Sequence, residues 1–177
     1  DSPEDVAVLL SKTTEFLSKY VKAFKEAGAD GVIMAEPAAG LLSPALAEEF
    51  STPYVKQIID AVADDDFIFC YHNCGNAVVD MADQIATLGA DIYHFGNAIS
   101  LKVIIPKMPK DSIVMGNVDP LIFKNGTPDD VKAAVRNVFD ECSEFDNFVL
   151  SSGCDIPASA KWENLDAYFA KVEELYA

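Results

Sequence analysis

The chain has 177 residues, with 13 Lys+Arg against 29 Asp+Glu and a formal charge of −16, a balance that excludes a phosphate-backbone binder of nucleic acid and disfavours an anionic membrane surface. Half of the residues are hydrophobic and 24% are charged, which is globular rather than disordered composition. No apolar run approaches the ~20 residues of a membrane span.

The first residues, Asp1-Ser2-Pro3-Glu4-Asp5, carry no signal-peptide pattern, and a start without Met is expected for an excised segment of a longer protein. Ser2-Pro3-Glu4-Asp5 opens a long amphipathic helix that ends near Ala27-Gly28. Five short apolar runs follow: Gly31–Ala35, Phe67–Tyr71, Asp91–Phe95, Ser112–Met115 and Asn147–Leu150. Each has the length of a buried strand, and their near-continuous apolarity suits a parallel sheet covered on both faces. Between them lie helical patterns. Pro44–Val62 opens behind Ser43, and Asn76–Leu88 ends at Gly89. Ile99–Ile105 stops at Pro106, Thr127-Pro128-Asp129-Asp130 caps a helix to about Glu141, and Trp162–Tyr176 closes the chain, with Pro, Gly and capping residues as the start and stop signals.

One helix and then five β-α units mean an α/β fold with right-handed crossovers. Polar residues follow three of the strands, at Glu36-Pro37, Gly116-Asn117 and Ser152-Gly153, as at the catalytic C-terminal face of a TIM (β/α)8 barrel. A complete barrel has eight units and ~250 residues. The expected fold is therefore the C-terminal portion of such a barrel, with residues 1–177 as a single partial domain of a longer chain. An open sheet of this kind exposes edge strands and barrel-interior side chains, which association into a homo-oligomer would cover. Four cysteines (Cys70, Cys74, Cys142, Cys154) are too few for a disulfide scaffold, so a reducing, cytoplasmic setting is expected.

The chemistry gathers at His72-Asn73-Cys74-Gly75, where the second strand ends. Alternation along a strand puts His72 and Cys74 on one side. Cys154 lies 80 residues beyond Cys74, again just past a strand, and in a barrel both segments converge on one mouth. An imidazole with two thiolates selects Zn²⁺ and leaves a fourth position open. Glu36, also after a strand, would supply an oxygen ligand or a base, a solvent-exposed loop carboxylate being the alternative. The competing reading of the three is two buried small hydrophobes and a packed histidine.

Four stretches carry a resemblance: Glu26-Ala27-Gly28-Ala29-Asp30-Gly31, His72-Asn73-Cys74-Gly75-Asn76, Gly116-Asn117-Val118-Asp119-Pro120 and Ser152-Gly153-Cys154-Asp155-Ile156-Pro157, with Asn164 trailing. Over essentially its whole length the chain resembles the uroporphyrinogen decarboxylase superfamily, and within it the corrinoid-dependent methyltransferases of the methylcobalamin:coenzyme M type. The decarboxylases proper are similar in fold but use no zinc triad. The resemblance implies Zn²⁺ held by His72, Cys74 and Cys154, and a thiol substrate in the open position. It implies methyl transfer to that thiol, such as coenzyme M, from methylcobalamin or a corrinoid protein. Ala35-Glu36-Pro37 departs from the pattern, since the coenzyme M enzymes more often have Asp before Pro. Asp119 and Asp155 sit in matching motifs and are expected catalytic residues, either able to accept a hydrogen bond from His72, with helix capping the alternative. His94, Asn97 and Asn117 are candidate cofactor contacts near the mouth, with a packed histidine and turn-forming asparagines as the alternatives. Cys70 and Cys142 read as structural, and Asp64-Asp65-Asp66 as a solvated loop. Two rival functions remain: a decarboxylase-like enzyme acting on a tetrapyrrole without metal, and a non-catalytic corrinoid-binding barrel fragment.

Overall fold

Apolar runs long enough for a strand and flanked by turn residues pair with one another in this chain, as the sequence leads one to expect. The structure, a computed structural model, describes residues 2–177; the leading Asp1 lies outside them. The strands are β1 (Gly31–Ala35), β2 (Ile68–Asn73), β3 (Ile92–Phe95), β4 (Ile113–Val118) and β5 (Phe148–Ser152). All pair in parallel, in the order β1-β2-β3-β4-β5. The chain is an α/β protein with the sequential strand order of a barrel wall.

Three strands run further than their apolar residues. β2 continues through His72 and Asn73, β4 through Asn117 and Val118, and β5 through Ser151 and Ser152. Ladder hydrogen bonds join backbones, so a polar side chain does not end a strand that still has a partner. His72 pairs with Ala35 and His94, and Asn117 with Ser151. Several candidate site residues thus stand on strand ends, which are stiffer than loops.

The helices are α1 (Pro3–Glu26), α2 (Pro44–Phe50), α3 (Thr52–Asp60), α4 (Ala82–Ile85), α5 (Leu101–Ile104), α6 (Ile122–Asn125), α7 (Pro128–Cys142) and α8 (Trp162–Tyr176). The single helix expected over 44–62 is two, broken at Ser51 two residues before Pro53, whose ring is excluded from a helix interior but tolerated in the first turn, where it stands in α3. The expected helix over 76–88 shrinks to a 3-10 turn at Val78–Met81 and the single turn of α4. At α7 a full capping box forms: Thr127 Oγ1 accepts from the Asp130 N–H, and the Asp130 carboxylate accepts from the Thr127 N–H at 2.9 Å. Asn164 ties α8 to the end of α6 by donating to the carbonyls of Phe123 and Gly126 at 2.9 and 3.0 Å.

The core lies between the helices and one face of the sheet, where Phe67, Phe69, Tyr71, Tyr93, Phe95, Val114 and Phe123 are buried. The other face is not covered among the described residues. Ile33 is 65% exposed and Val149 41%, so the sheet is a one-sided wall whose concave side is open, as expected of part of a barrel. Among the described residues no helix is long and apolar enough to cross a membrane.

Candidate metal centre

At the C-terminal ends of the strands three side chains meet. His72 is the penultimate residue of β2, Cys74 follows the strand, and Cys154 stands two residues past β5. Their donor atoms all lie within 4.8 Å of one another, and the Cys154 Sγ to His72 Nε2 distance is 3.5 Å. Zn–N bonds of about 2.0 Å and Zn–S bonds of about 2.3 Å at tetrahedral angles separate neighbouring donors by roughly 3.5 Å. The donor set therefore fits a zinc ion in both chemistry and spacing.

Backbone geometry aims these groups. His72 Nδ1 lies 3.1 Å from the His94 carbonyl; a carbonyl only accepts, so Nδ1 carries the proton and Nε2 presents its lone pair to the thiols. This is how a metal-binding imidazole is usually oriented. The Asn73 side chain accepts from the Gly75 N–H at 3.0 Å, turning the chain through Cys74. That turn packs where β3 ends: a Cβ on Gly96 would lie 2.6 Å from the Cys74 Cβ. Ser152 donates its hydroxyl to the Cys154 carbonyl at 2.9 Å. Over the three ligands opens a cleft of about 660 Å³, lined also by Ile33, Ala35, Met115, Asp155 and Ile156.

Burial sets the charges. Desolvation lowers the pKa of His72, partly offset by its bond to His94 and by the Asp155 carboxylate. Desolvation and the neighbouring Cys154 thiol raise that of Cys74. The metal-free site is thus built of a neutral ring and protonated thiol at Cys74, which a bound metal would deprotonate.

The other expected residues fall elsewhere. Glu36 is not a ligand in this structure. It points to the helix side of β1, where its carboxylate accepts from Ser51 Oγ at 2.7 Å and Tyr71 Oη at 2.9 Å. Burial raises its pKa against those two hydrogen bonds. Neither Asp119 nor Asp155 takes the His72 proton, because the His94 carbonyl has it. Asp119 is exposed and accepts from the Leu121 N–H at 2.9 Å, a turn-capping role. Asp155 is exposed at the cleft wall. Asn117 is buried, its amide donating to the Gly96 and Ile99 carbonyls at 3.0 and 2.7 Å. Asn97 is exposed and touches Gly153 closely enough that a Cβ there would meet its main-chain nitrogen at 2.8 Å. His94 is 7% exposed and lines the cleft floor, with its Nε2 on the Ser152 carbonyl at 2.7 Å. Cys70 and Cys142 are buried free thiols away from the site, with pKa values pushed up by burial to about 12 and about 11.

Against known proteins, the profile of uroporphyrinogen decarboxylase (URO-D) matches residues 1–175. The chain belongs to the uroporphyrinogen decarboxylase family. Within URO-D it is 31% identical over 163 residues to the methylcobamide:CoM methyltransferase MtbA of Methanosarcina mazei, an alignment covering 90% of this chain and 46% of the relative. It is 32% identical over 173 residues to the uroporphyrinogen decarboxylase of Parasynechococcus marenigrum, covering 94% and 47%. A solved methyltransferase from Methanosarcina mazei superimposes with a TM-score of 0.80 at 28% identity, over 93% of this chain and 48% of that one. The chain spans about half the length of the URO-D relatives it matches.

Proposed function

We propose that this chain carries the metal-binding half of a zinc-dependent methyltransferase that moves a methyl group from a methylated corrinoid, free methylcobalamin or a corrinoid protein, to a small thiol. The observation that carries the proposal is the convergence of His72, Cys74 and Cys154, three soft and borderline ligands within 4.8 Å, in a chain similar to MtbA, named a methylcobamide:CoM methyltransferase. In this reading coenzyme M is the acceptor. Zn²⁺ bound by the three residues would supply the Lewis acidity that holds an incoming thiol as its thiolate.

The protein's own share is placement. His72, with its proton committed to the His94 carbonyl, offers only a lone pair and cannot return a proton to the substrate sulfur. Ile33, Ala35, Met115 and Ile156 keep the cleft apolar around the sulfur, which strengthens a charged nucleophile by limiting its hydration. A methylated corrinoid over the cleft would supply the methyl group, a sulfur–carbon bond forming as the cobalt–carbon bond breaks with its electron pair left on cobalt, and holding the sulfur in line with that bond would be the main demand on His72, Cys74 and Cys154. We assign Asp155 and Asn97 to the rim met by the donor, and His94 and Asn117 to support beneath it. Residues 1–177 act as one partial-barrel domain, and the remaining barrel wall is required for turnover.

Zinc content and methyl transfer test this together. The 177-residue chain is expected to hold about one zinc, and the longer protein that completes the barrel to demethylate methylcobalamin with coenzyme M, followed by the cobalamin absorbance change. Cys74→Ser with Cys154→Ser should abolish zinc and lower the rate at least about 100-fold, since the thiolate is no longer generated. Similarity to the uroporphyrinogen decarboxylases, at 32% identity, favours a second reading, a tetrapyrrole decarboxylase. Decarboxylation of uroporphyrinogen unchanged in the same double variant would decide for it.

A further inference from the structure

The candidate ligands come from two places that are not neighbours. His72 and Cys74 belong to the end of β2 and Cys154 to the end of β5, and in the sheet order β3 and β4 lie between. A metal site assembled across that distance needs a tie that fixes one arm against the other, because a ligand misplaced by even 1 Å weakens binding.

One residue touches both arms. His94 stands on β3, opposite His72 in the register. Its main-chain carbonyl accepts the His72 Nδ1 proton at 3.1 Å, and its ring lies against that of His72, with centroids 4.4 Å apart. Its side chain reaches the other way, past β4: Nε2 lies 2.7 Å from the Ser152 carbonyl, to which it must donate. Ser152 passes the restraint on, its hydroxyl donating to the Cys154 carbonyl at 2.9 Å. At 7% exposure the ring has little water to compete for that bond, so the bond is strong and the ring is fixed.

We propose that His94 is a positioning residue that sets the spacing of the metal ligands, orienting His72 through its backbone and holding the Cys154 arm through its side chain. The inference rests on the reading of His72, Cys74 and Cys154 as a metal centre and adds a residue that touches neither metal nor substrate.

Metal affinity is the direct test, by competition with a chelating indicator for Zn²⁺ and by the visible bands of the Co²⁺-substituted protein, which report tetrahedral thiolate ligation without any turnover. His94→Phe keeps a ring against His72 and the main-chain carbonyl but removes the N–H. It is expected to weaken zinc binding about 10- to 100-fold, the usual effect of losing a group that supports a ligand, and to shift the Co²⁺ bands. His94→Gln, whose amide nitrogen reaches the Nε2 position, should restore most of the affinity, whereas His94→Asn, which falls short of Ser152, should not. The Gln and Asn pair carries the comparison if the Phe variant fails to fold. In a Cys154→Ser background, a change at His94 should cost less than about twofold more, because the arm it holds no longer ligates. Equal zinc affinity in wild type, His94→Asn and His94→Phe would overturn the positioning role while leaving the metal centre standing. Full additivity with Cys154→Ser would also overturn it. A folded wild type that takes up no zinc would overturn both.

Discussion

Glu36 illustrates how one step of strand parity redirects a side chain. Counted along β1, Ile33 and Ala35 face the cleft while Met34 and Glu36 face the helices. The expectation of a ligand rested on Glu36 following a strand, and that position alone does not say which face it takes; the alternation does. On the helix side the carboxylate joins a buried polar chain of Ser51, Tyr71 and Asn73, Asn73 donating to Tyr71 Oη at 3.0 Å. Burial raises the Glu36 pKa above 4.5 despite those hydrogen bonds, so the fold prefers the protonated acid. The unfolded chain gives up this proton first as pH rises. The contribution of Glu36 to stability is therefore fully present below about pH 4.5 and is lost as pH climbs through the folded value. Glu36→Gln keeps an acceptor and a donor without that penalty. Its melting temperature relative to wild type is expected to improve as pH rises above about 4.5 and to level off once the folded carboxyl is ionised, measured on metal-free protein; a difference that does not change with pH would contradict the assignment. His72, Cys74 and Cys154 stood out in the sequence as metal-ligating residue types just past two strands, and the structure brings their donor atoms within 4.8 Å of one another. The bridging role of His94 left no sequence signal, because its partners are backbone carbonyls, which any residue supplies.

Among elements, the strands were legible because each is a run of apolar residues between turns, and their ends were not, because backbone pairing carries β2, β4 and β5 into polar sequence. Long amphipathic helices such as α1, α7 and α8 announced themselves by periodicity and caps. The short ones, α4, α5 and α6 with four residues each, were legible only in part: α4 and α5 fall inside the longer helices expected over 76–88 and 99–105, and α6 had no expected counterpart, four residues being too few for a helical period to register. Where two elements touch, the site depends on their closest approach. The end of β3 runs against the turn after β2, and a Cβ at Gly96 would sit 2.6 Å from the Cys74 Cβ and 2.7 Å from its Cα. The obstruction is backbone, which cannot rotate away as a side chain could. Gly96→Ala is expected to displace the Cys74 turn, cost about 1–3 kcal/mol in denaturant unfolding as overpacking does, and lower zinc content in step. A stable Gly96→Ala protein with wild-type zinc affinity would show that the turn has room that this packing denies.

At the scale of the molecule, exposed area is the informative quantity. A folded monomer of 19.2 kDa is expected to expose about 8,400 Å² from the scaling of surface with mass. This chain exposes 9833 Å², an excess of about 1,400 Å² by that comparison. The excess has an address. On the concave face Ile33, Ile68, Ile113 and Val149 are 65%, 50%, 38% and 41% exposed, and beside the unpaired edge of β1 the outer residues Phe16, Tyr20 and Phe24 of α1 are 64%, 52% and 40% exposed. Apolar area of this extent is sticky unless covered, and it matches what one partner contributes to a stable interface, about 800 Å² or more. The two ways to cover it make opposite demands on the same side chains. In a closed barrel the concave residues become packed interior, whereas in this chain alone they face water or another copy. Ile33→Lys with Val149→Lys should therefore act in opposite directions. In the 177-residue chain the pair is expected to shift sedimentation from associated species toward monomer with little change in unfolding. In a longer protein that completes the barrel, the same pair should destabilise the fold by several kcal/mol, because two ammonium groups would be buried without partners. A wild-type 177-residue chain that sediments as a monomer at every concentration would show that the concave face does not drive association, and a completed barrel indifferent to both lysines would show that the face never becomes interior.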